Sequence, residues 1–187
     1  MCIRDRVYFA DSEAYLSVEG ITRSQVKALE DKSLEEADRI LGECQRLDLR
    51  MITIRDAEYP DRLRNIYDPP ILLYVQGRMP LFDEEIAVAM VGSRKASPAS
   101  LQVTERLAFQ MADLGALIVS GLAKGGDAMA HRGALRAGGF TAAVIAGGHD
   151  ITYPMENASL YADIAARGVI LSEYPPGTEH RLSLIHI

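Results

Sequence analysis

The sequence lacks two features that would place the protein in or across a membrane. It has no run of the roughly 18 apolar residues that a membrane-spanning helix needs, and no charged-then-apolar leader with a cleavage site. These absences predict a cytoplasmic protein with no membrane partner. Only two cysteines, Cys2 and Cys44, are present, far apart and without Cys-x-x-Cys spacing, so neither a disulfide framework nor a metal site is predicted.

Two common phosphate-binding signatures are also missing. The chain contains no Gly-x-Gly-x-x-Gly fingerprint of dinucleotide sites and no P-loop ending in Gly-Lys-Ser/Thr. An NAD enzyme and an NTPase are therefore disfavoured, and no cofactor is predicted. The length of 187 residues and the hydrophobic content of 48% suit one full globular domain plus a small one.

The sequence does contain two strand-turn-helix units in series, and the first begins at residue 86. Residues 86–91 are almost entirely apolar, which is typical of a parallel strand covered on both faces. Gly92 then permits a turn and a close ligand approach, Ser93 supplies a hydroxyl, and Arg94 supplies donors matched to phosphate oxygens. Ser97-Pro98 predicts a helix start, with the helix running to about residue 114.

The second unit repeats this plan. Residues 116–119 form another short apolar run, followed by Ser120 and Gly121, and Lys124 occupies the place that Arg94 has in the first unit. Gly125 gives a flexible backbone before a helix predicted over residues 128–137. Both units deliver backbone N–H groups, a hydroxyl and a cation to the same sheet edge, so this edge is predicted to bind phosphates.

Asp127 and His131 admit two interpretations. Asp127 precedes the second helix and can cap it, with His131 four residues later as its partner on one helix face. Alternatively, the two side chains form a catalytic acid–base pair.

Two further strands predict that the same edge continues. Residues 141–145 and 169–171 are apolar, with a helix predicted over 157–166 between them. Gly147, Gly148 and Asp150 follow the first of these strands and either line a crevice or merely turn the chain. Asp127 and Asn157 either line that crevice or cap helices. The carboxylate of Glu173 at the last strand's tip makes a direct phosphate contact unfavourable. The alternation predicts an α/β fold with a mostly parallel sheet and flanking helices.

Charge is distributed unevenly. The net charge is −6, yet residues 90–140 carry six basic and three acidic residues, while the segments on either side are net negative. A local positive groove on an acidic body is compatible with nucleic acid binding.

The first third of the chain predicts a helical module with short strands over residues 7–78. A short helix is expected over 24–30, and a capping box at Ser33 and Glu36 opens a second one to about residue 47, with one buried face. Strands are predicted at 51–54 and 71–75. We place a boundary near 78–85 and the second domain at 86–180.

Five ordered blocks resemble DNA-processing protein A, the DprA/Smf family. The blocks are Val91-Gly92-Ser93-Arg94, residues 119–127 with Ala130-His131, Gly138-Gly139 with Thr141, Tyr153-Pro154 with Asn157, and residues 172–177. The resemblance covers residues 7–179. Gly126 departs from it, because the family more often has an aliphatic residue there.

The resemblance implies a Rossmann-like domain preceded by a small helical domain. It also implies that the protein binds single-stranded DNA with little sequence preference, loads the recombinase RecA and protects incoming DNA in natural transformation. The full-length protein is expected to form a homodimer, and no enzymatic activity is expected. The family's Arg-Asn-Arg block is absent, and residues 1–6 and 182–187 fit poorly, so we expect a C-terminally truncated fragment with foreign tails.

One alternative function remains, a nucleotide hydrolase of the phosphoribohydrolase type that recruits Asp127, His131 or Glu173. Such enzymes usually carry a Pro-Gly-Gly-x-Gly-Thr block, which this chain lacks. For the DNA interpretation, no aromatic stacking platform is evident near the two cationic turns, because Phe109 and Phe140 lie within or after helices.

Overall fold

The computed structural model describes residues 7–180. The chain divides into two compact units between Leu41 and Gly42. The predicted foreign tails, 1–6 and 182–187, lie outside the described residues. No helix in the described part is long and apolar enough to span a membrane.

The first unit is helical. It contains α1 (Ser12–Leu16) and α2 (Arg23–Glu30), and α3 (Glu35–Arg46) begins in it. A capping box starts α2, in which the Thr22 side chain accepts the Gln25 N–H and the Gln25 side chain accepts the Thr22 N–H. At the start of α3, where a capping box is predicted at Ser33 and Glu36, the Ser33 Oγ accepts the Glu35 N–H at 3.3 Å.

The predicted buried face of α3 is only partly realised. Cys44 is buried and Ile40 and Leu47 are half-buried, but Leu34 and Leu41 are exposed. The helical spacing identified an apolar stripe correctly, but only its C-terminal half is buried. A stripe is buried only where another element of the structure covers it.

The second unit is built on one six-stranded sheet. Its order is β1-β2-β6-β5-β4-β3; β3 to β6 are parallel, and β1 and β2 join on one side as antiparallel strands. The strands are β1 (Arg50–Thr53), β2 (Leu72–Gly77), β3 (Ala87–Ala89), β4 (Leu117–Ser120), β5 (Thr141–Ile145) and β6 (Val169–Ser172). This sheet with its flanking helices confirms the predicted α/β class.

The helices after the parallel strands lie on one face of the sheet. They are α5 (Pro98–Asp113), α6 (Gly126–Arg136) and α7 (Ala158–Arg167), while α4 (Asp61–Arg64) lies earlier in the chain and a 3₁₀ turn (Met155–Asn157) precedes α7. As predicted, Ser97 caps α5, its Oγ accepting the Ser100 N–H at 3.1 Å, with Pro98 in the first turn.

Apart from three buried polar residues at strand ends, Ser120, Thr141 and Ser172, the parallel strands are apolar, because successive side chains enter two different cores. In β4, Ile118 packs beneath α5 and α6, whereas its neighbour Leu117 packs on the opposite face with Tyr59 and Leu73. The segment between β1 and β3 therefore covers the face that the three long helices leave open.

The position of β2 changes the predicted domain boundary. Tyr74 pairs with Ser172 and Val75 with Leu171, so a strand assigned from sequence to the module over 7–78 belongs to the main sheet. The structure divides the chain at residues 41 and 42 instead of near 78–85. The physical reason is that an apolar strand carries no mark of its partner, and Val75 is fully buried in the shared core.

Candidate functional site

Four connections follow the carboxyl ends of the parallel strands at one edge of the sheet, which we call the carboxyl edge. The first turn (residues 90–96) follows β3 and the second turn (residues 121–125) follows β4. The third loop (residues 146–157) follows β5 and the fourth loop (residues 173–180) follows β6. Because these strands are neighbours in the order β3-β4-β5-β6, the predicted site residues gather along one line.

The first and second turns are in direct backbone contact. A Cβ placed on Gly92 would lie 2.6 Å from the Gly126 Cα, and one on Gly126 would lie 2.5 Å from the Gly92 Cα. The Gly126 N–H donates to the Ser93 carbonyl at 3.2 Å, and Gly125, at φ +87°, would meet the same oxygen with a Cβ. Glycine at residue 126 therefore lets the two turns touch.

Buried side chains strengthen this contact. The Asp127 Oδ1 accepts the Gly92 N–H at 3.0 Å, and the Ser120 hydroxyl donates to the Met90 carbonyl at 2.6 Å. Both side chains are buried, and no side chain caps the start of α6, whose N-cap residue is Gly125. The interpretation of Asp127 as a helix cap is thus wrong, since its carboxylate fixes the first turn.

His131 is not paired with Asp127 either. Its Nδ1 lies 2.7 Å from the Thr141 hydroxyl, which donates its own proton to the Ile118 carbonyl, so Nδ1 must be the donor to Thr141. His131 Nε2 finds no hydrogen-bond partner of normal geometry among residues 7–180. Burial lowers the pKa of the imidazole to about 4, although its interaction with the Ser120 backbone opposes part of that shift. A buried neutral histidine bonded to threonine does not form the proposed acid–base pair.

Asn157 supports the second turn from the third loop. It is buried, and its Nδ2 donates to the Leu122 carbonyl at 3.0 Å and to the Ala123 carbonyl at 3.4 Å. Leu122 has φ +56°, a conformation that costs energy for a residue with a side chain unless its surroundings hold it. Although Asn157 precedes α7, its side chain makes no cap bond, so its role is to hold the second turn.

The two predicted cations extend into solvent at this edge. Arg94 is exposed and forms no ion pair with any described residue. Lys124 is 61% exposed and its Nζ lies 2.9 Å from the Glu156 Oε1, in a pair whose carboxylate is also half exposed. Such an exposed pair is weak and readily exchanged for another anion.

The remaining predicted phosphate ligands differ in availability. Ser93 is exposed and its Oγ accepts the Lys95 N–H at 3.1 Å, which leaves the hydroxyl proton free to donate. The Ser120 hydroxyl and the Gly92 N–H already have buried partners. Gly121 and Gly125 are half-buried on the second turn beside Lys124. The geometry thus favours Ser93, Arg94 and Lys124 as phosphate ligands. Gly92 and Ser120 instead help to hold the first turn in place.

Gly147, Gly148 and Asp150 join the third and fourth loops. The Gly148 N–H donates to the Thr178 carbonyl at 2.8 Å, and the Asp150 Oδ1 accepts the Gly177 N–H at 2.8 Å. A Cβ on Gly147 would lie 2.7 Å from the His180 ring. These contacts favour the second of the two interpretations, in which the three residues turn the chain, here by joining the third and fourth loops, and do not line a crevice.

Sequence reasoning missed an aromatic pair at the same edge. The ring of Tyr153, on the third loop, is stacked against that of His180, on the fourth, with centroids 5.7 Å apart. The Tyr153-Pro154 pair after β5 was a signal for an aromatic residue at the carboxyl end of a strand. No short-range pattern in the sequence shows that its ring contacts His180. Among residues 7–180, no group of three or more His, Cys, Asp or Glu side chains is arranged to hold a metal ion.

Comparison with known sequences identifies relatives of this chain. A family model described as DNA recombination-mediator protein A matches residues 50–184. The chain is 37% identical over 164 residues to DNA processing protein DprA of Bacillus subtilis, covering 85% of this chain and 55% of that protein. It is 42% identical over 127 residues to DNA processing protein DprA of Streptococcus pneumoniae, covering 68% and 44%.

Two solved structures are similar. The crystal structure of DNA processing protein A from Streptococcus pneumoniae matches with a TM-score of 0.77 at 33% identity, over 88% of this chain and 56% of that one. A structure of DNA processing protein A from Helicobacter pylori, which concerns that protein's single-stranded DNA binding mode, matches with a TM-score of 0.64 at 34% identity, over 72% and 60%.

The chain spans about half the length of these curated relatives. Within that span the sequence match and the structural match agree, and the family model covers most of the sheet-containing unit. The chain therefore belongs to the DNA recombination-mediator protein A family, the DprA/Smf proteins.

Proposed function

We propose that this protein binds single-stranded DNA by its phosphate backbone at the carboxyl edge. The observation that carries the proposal is the placement of Arg94 and Lys124 at the tips of two adjacent parallel strands, on turns whose backbones touch. Neighbouring strands lie about 4.8 Å apart, so both cations face one stretch of a bound strand. Ser93, on the first turn next to Arg94, adds a hydroxyl donor.

The rigidity of the two turns supports this assignment. Gly92 and Gly126 are in contact, Asp127 holds the first turn and Asn157 holds the second, all with groups inaccessible to the ligand. A site that is already ordered loses little entropy when it binds. Charge also favours it, because residues 90–140 form the basic segment of an otherwise acidic chain.

Contacts with phosphates predict little dependence on DNA sequence, since every nucleotide presents the same backbone. The related Helicobacter pylori protein, with its described single-stranded DNA binding mode, supports the choice of ligand. We extend the proposal to the longer protein: as a recombination mediator it protects incoming DNA, loads RecA on it and acts as a homodimer. Family membership supports this extension.

Of the three residues that the nucleotide hydrolase could recruit, only Glu173 is exposed, and a single carboxylate is not an acid–base pair. Asp127 accepts a backbone N–H and His131 is buried beside Thr141, so neither can exchange a proton with a substrate in solution. We therefore do not propose an enzymatic activity for this edge.

Competition of ligands tests the proposal. A fluorescently labelled oligothymidine is titrated with the protein, and the complex is challenged with unlabelled single strands, a duplex of the same length, and free nucleotides. We expect binding that weakens with salt and is displaced best by single strands. Displacement by nucleotides but not by DNA would overturn the proposal.

A further inference from the structure

We propose that Tyr153 is a base-stacking residue, which receives one nucleobase of the strand whose phosphates contact Arg94 and Lys124. This inference rests on the proposed function and adds a second kind of contact to it. Bases of a single strand are unpaired, so their faces are free to stack on aromatic side chains.

The Tyr153 ring is both accessible and supported. It is 53% exposed, and its stacking partner His180 is tilted by 31° from it. His180 is itself held, because its Nε2 donates to the Ile151 carbonyl at 2.7 Å and its ring packs over Gly147. Tyr153 therefore has a backing ring and an open surface, which is the arrangement that a base needs.

The segment that carries Tyr153 is tied to the phosphate site. The Asn157 N–H donates to the Pro154 carbonyl at 2.9 Å, while its side chain holds the Leu122 carbonyl of the second turn. Glu156 lies between them and contacts Lys124. Asn157 thus connects the segment next to Tyr153 to the backbone of the second turn, which carries Lys124.

The order of the strands places this ring along the path of the DNA. Arg94 follows β3, Lys124 follows β4 and Tyr153 follows β5, and these three strands are consecutive in the sheet. At about 4.8 Å per strand, a single strand that crosses the carboxyl edge meets two cations and then the ring.

Charge and polarity of the third loop favour a base over a phosphate. Residues 146–157 contain Asp150 and Glu156 but no lysine or arginine, so this loop repels phosphates. Beside Tyr153 the side chain of Met155 is 74% exposed, which adds apolar surface for the face of a base. Every base has such a face, so this contact is compatible with binding that ignores sequence.

The test compares two labelled oligonucleotides of one length, oligothymidine and a strand of abasic residues, at fixed salt. We expect the wild type to bind oligothymidine about tenfold more tightly than the abasic strand. Tyr153→Ala should lose most of that preference, whereas Tyr153→Phe, which keeps the ring, should retain it. Tyr67→Ala removes a fully exposed tyrosine of the segment between β1 and β2 and serves as the matched control.

The salt dependence of each variant separates this inference from the proposed function. We expect Tyr153→Ala to keep the wild-type salt slope, because it removes no phosphate contact. Wild-type base preference in Tyr153→Ala, with salt-sensitive binding intact, would overturn the stacking inference alone. If neither the wild type nor any of the variants bound DNA in a salt-sensitive way, both proposals would be overturned.

Discussion

At the scale of single residues, Lys124 has an ion-pair partner that would compete with the proposed DNA ligand. Its Nζ lies within 2.9 Å of the Glu156 Oε1 and 3.2 Å of the Oε2, and both side chains are about half exposed. A phosphate that binds Lys124 must displace this carboxylate or bind beside it. Arg94, which has no ion pair among the described residues, carries no such restriction.

The first prediction concerns Glu156→Gln, which removes the competing charge but keeps the side chain's shape. Exposed ion pairs contribute roughly 0.2–1 kcal/mol, so affinity for single-stranded DNA should rise about 1.4- to fivefold at low salt. Anisotropy titrations measure this. Asp163→Asn, at an exposed carboxylate on α7 beside Arg167, makes the same charge change away from the edge and should have a smaller effect. Equal gains in both variants would mean that only net charge matters.

At the scale of elements, alternation of strands and helices was predictable from the sequence. The pattern of short apolar runs, Gly-containing turns and caps located β3 to β6 and α5 to α7 to within a few residues. It also predicted that the site residues gather at one edge, because parallel strands place their carboxyl ends together. The helix after Ser97-Pro98 begins where its cap predicts.

The structural roles of the individual site residues were less predictable from the sequence. Asp127, Ser120 and Asn157 were candidates for a ligand site or a cap, yet each bonds a backbone group that lies at least 30 positions away in the chain. No local pattern shows such a partner. The same reason explains β2, whose pairing with β6 joins residues that are nearly 100 positions apart.

The contact between the two turns gives the second prediction. Gly126→Ala places a Cβ against the Gly92 Cα, where backbone atoms cannot easily move, so stability should fall by about 1–3 kcal/mol and DNA affinity should fall with it. Urea unfolding and anisotropy measure the two effects. Gly42→Ala is the matched control: no atom lies within 4 Å of its Cβ, and in α3 it should stabilise by about 0.5–1 kcal/mol. An unchanged Gly126→Ala protein would refute the account of this contact.

At the scale of the whole molecule, two buried histidines make stability depend on pH. Burial lowers the pKa of His131 to about 4 and also lowers the pKa of His149, whose Nε2 donates to the Tyr74 carbonyl. The unfolded chain therefore binds more protons than the folded one between pH 4 and 6.5, and stability falls as pH decreases through that window.

The third prediction follows from this difference in pKa. The free energy of unfolding should be constant above pH 6.5 and should decrease by on the order of 3 kcal/mol for His131 alone as the pH approaches 4. Urea unfolding between pH 4.5 and 7.5 measures it. His131→Gln should make the free energy of unfolding depend less on pH, and the smaller dependence that remains should come from His149. A wild-type protein whose stability does not change across this range would contradict the burial of both rings.

Arg94 and Lys124 are the two residues that we propose hold the phosphates of single-stranded DNA. The most direct test is the slope of log affinity for oligothymidine against log salt concentration in Arg94→Ala and Lys124→Ala. Arg106→Ala, an exposed arginine about 12 Å along α5 from its start, serves as the control. Each site variant should lower the magnitude of the slope by about 0.7, the value for one phosphate contact on a single strand, and the control should not. Wild-type slopes and affinities in both site variants would contradict it.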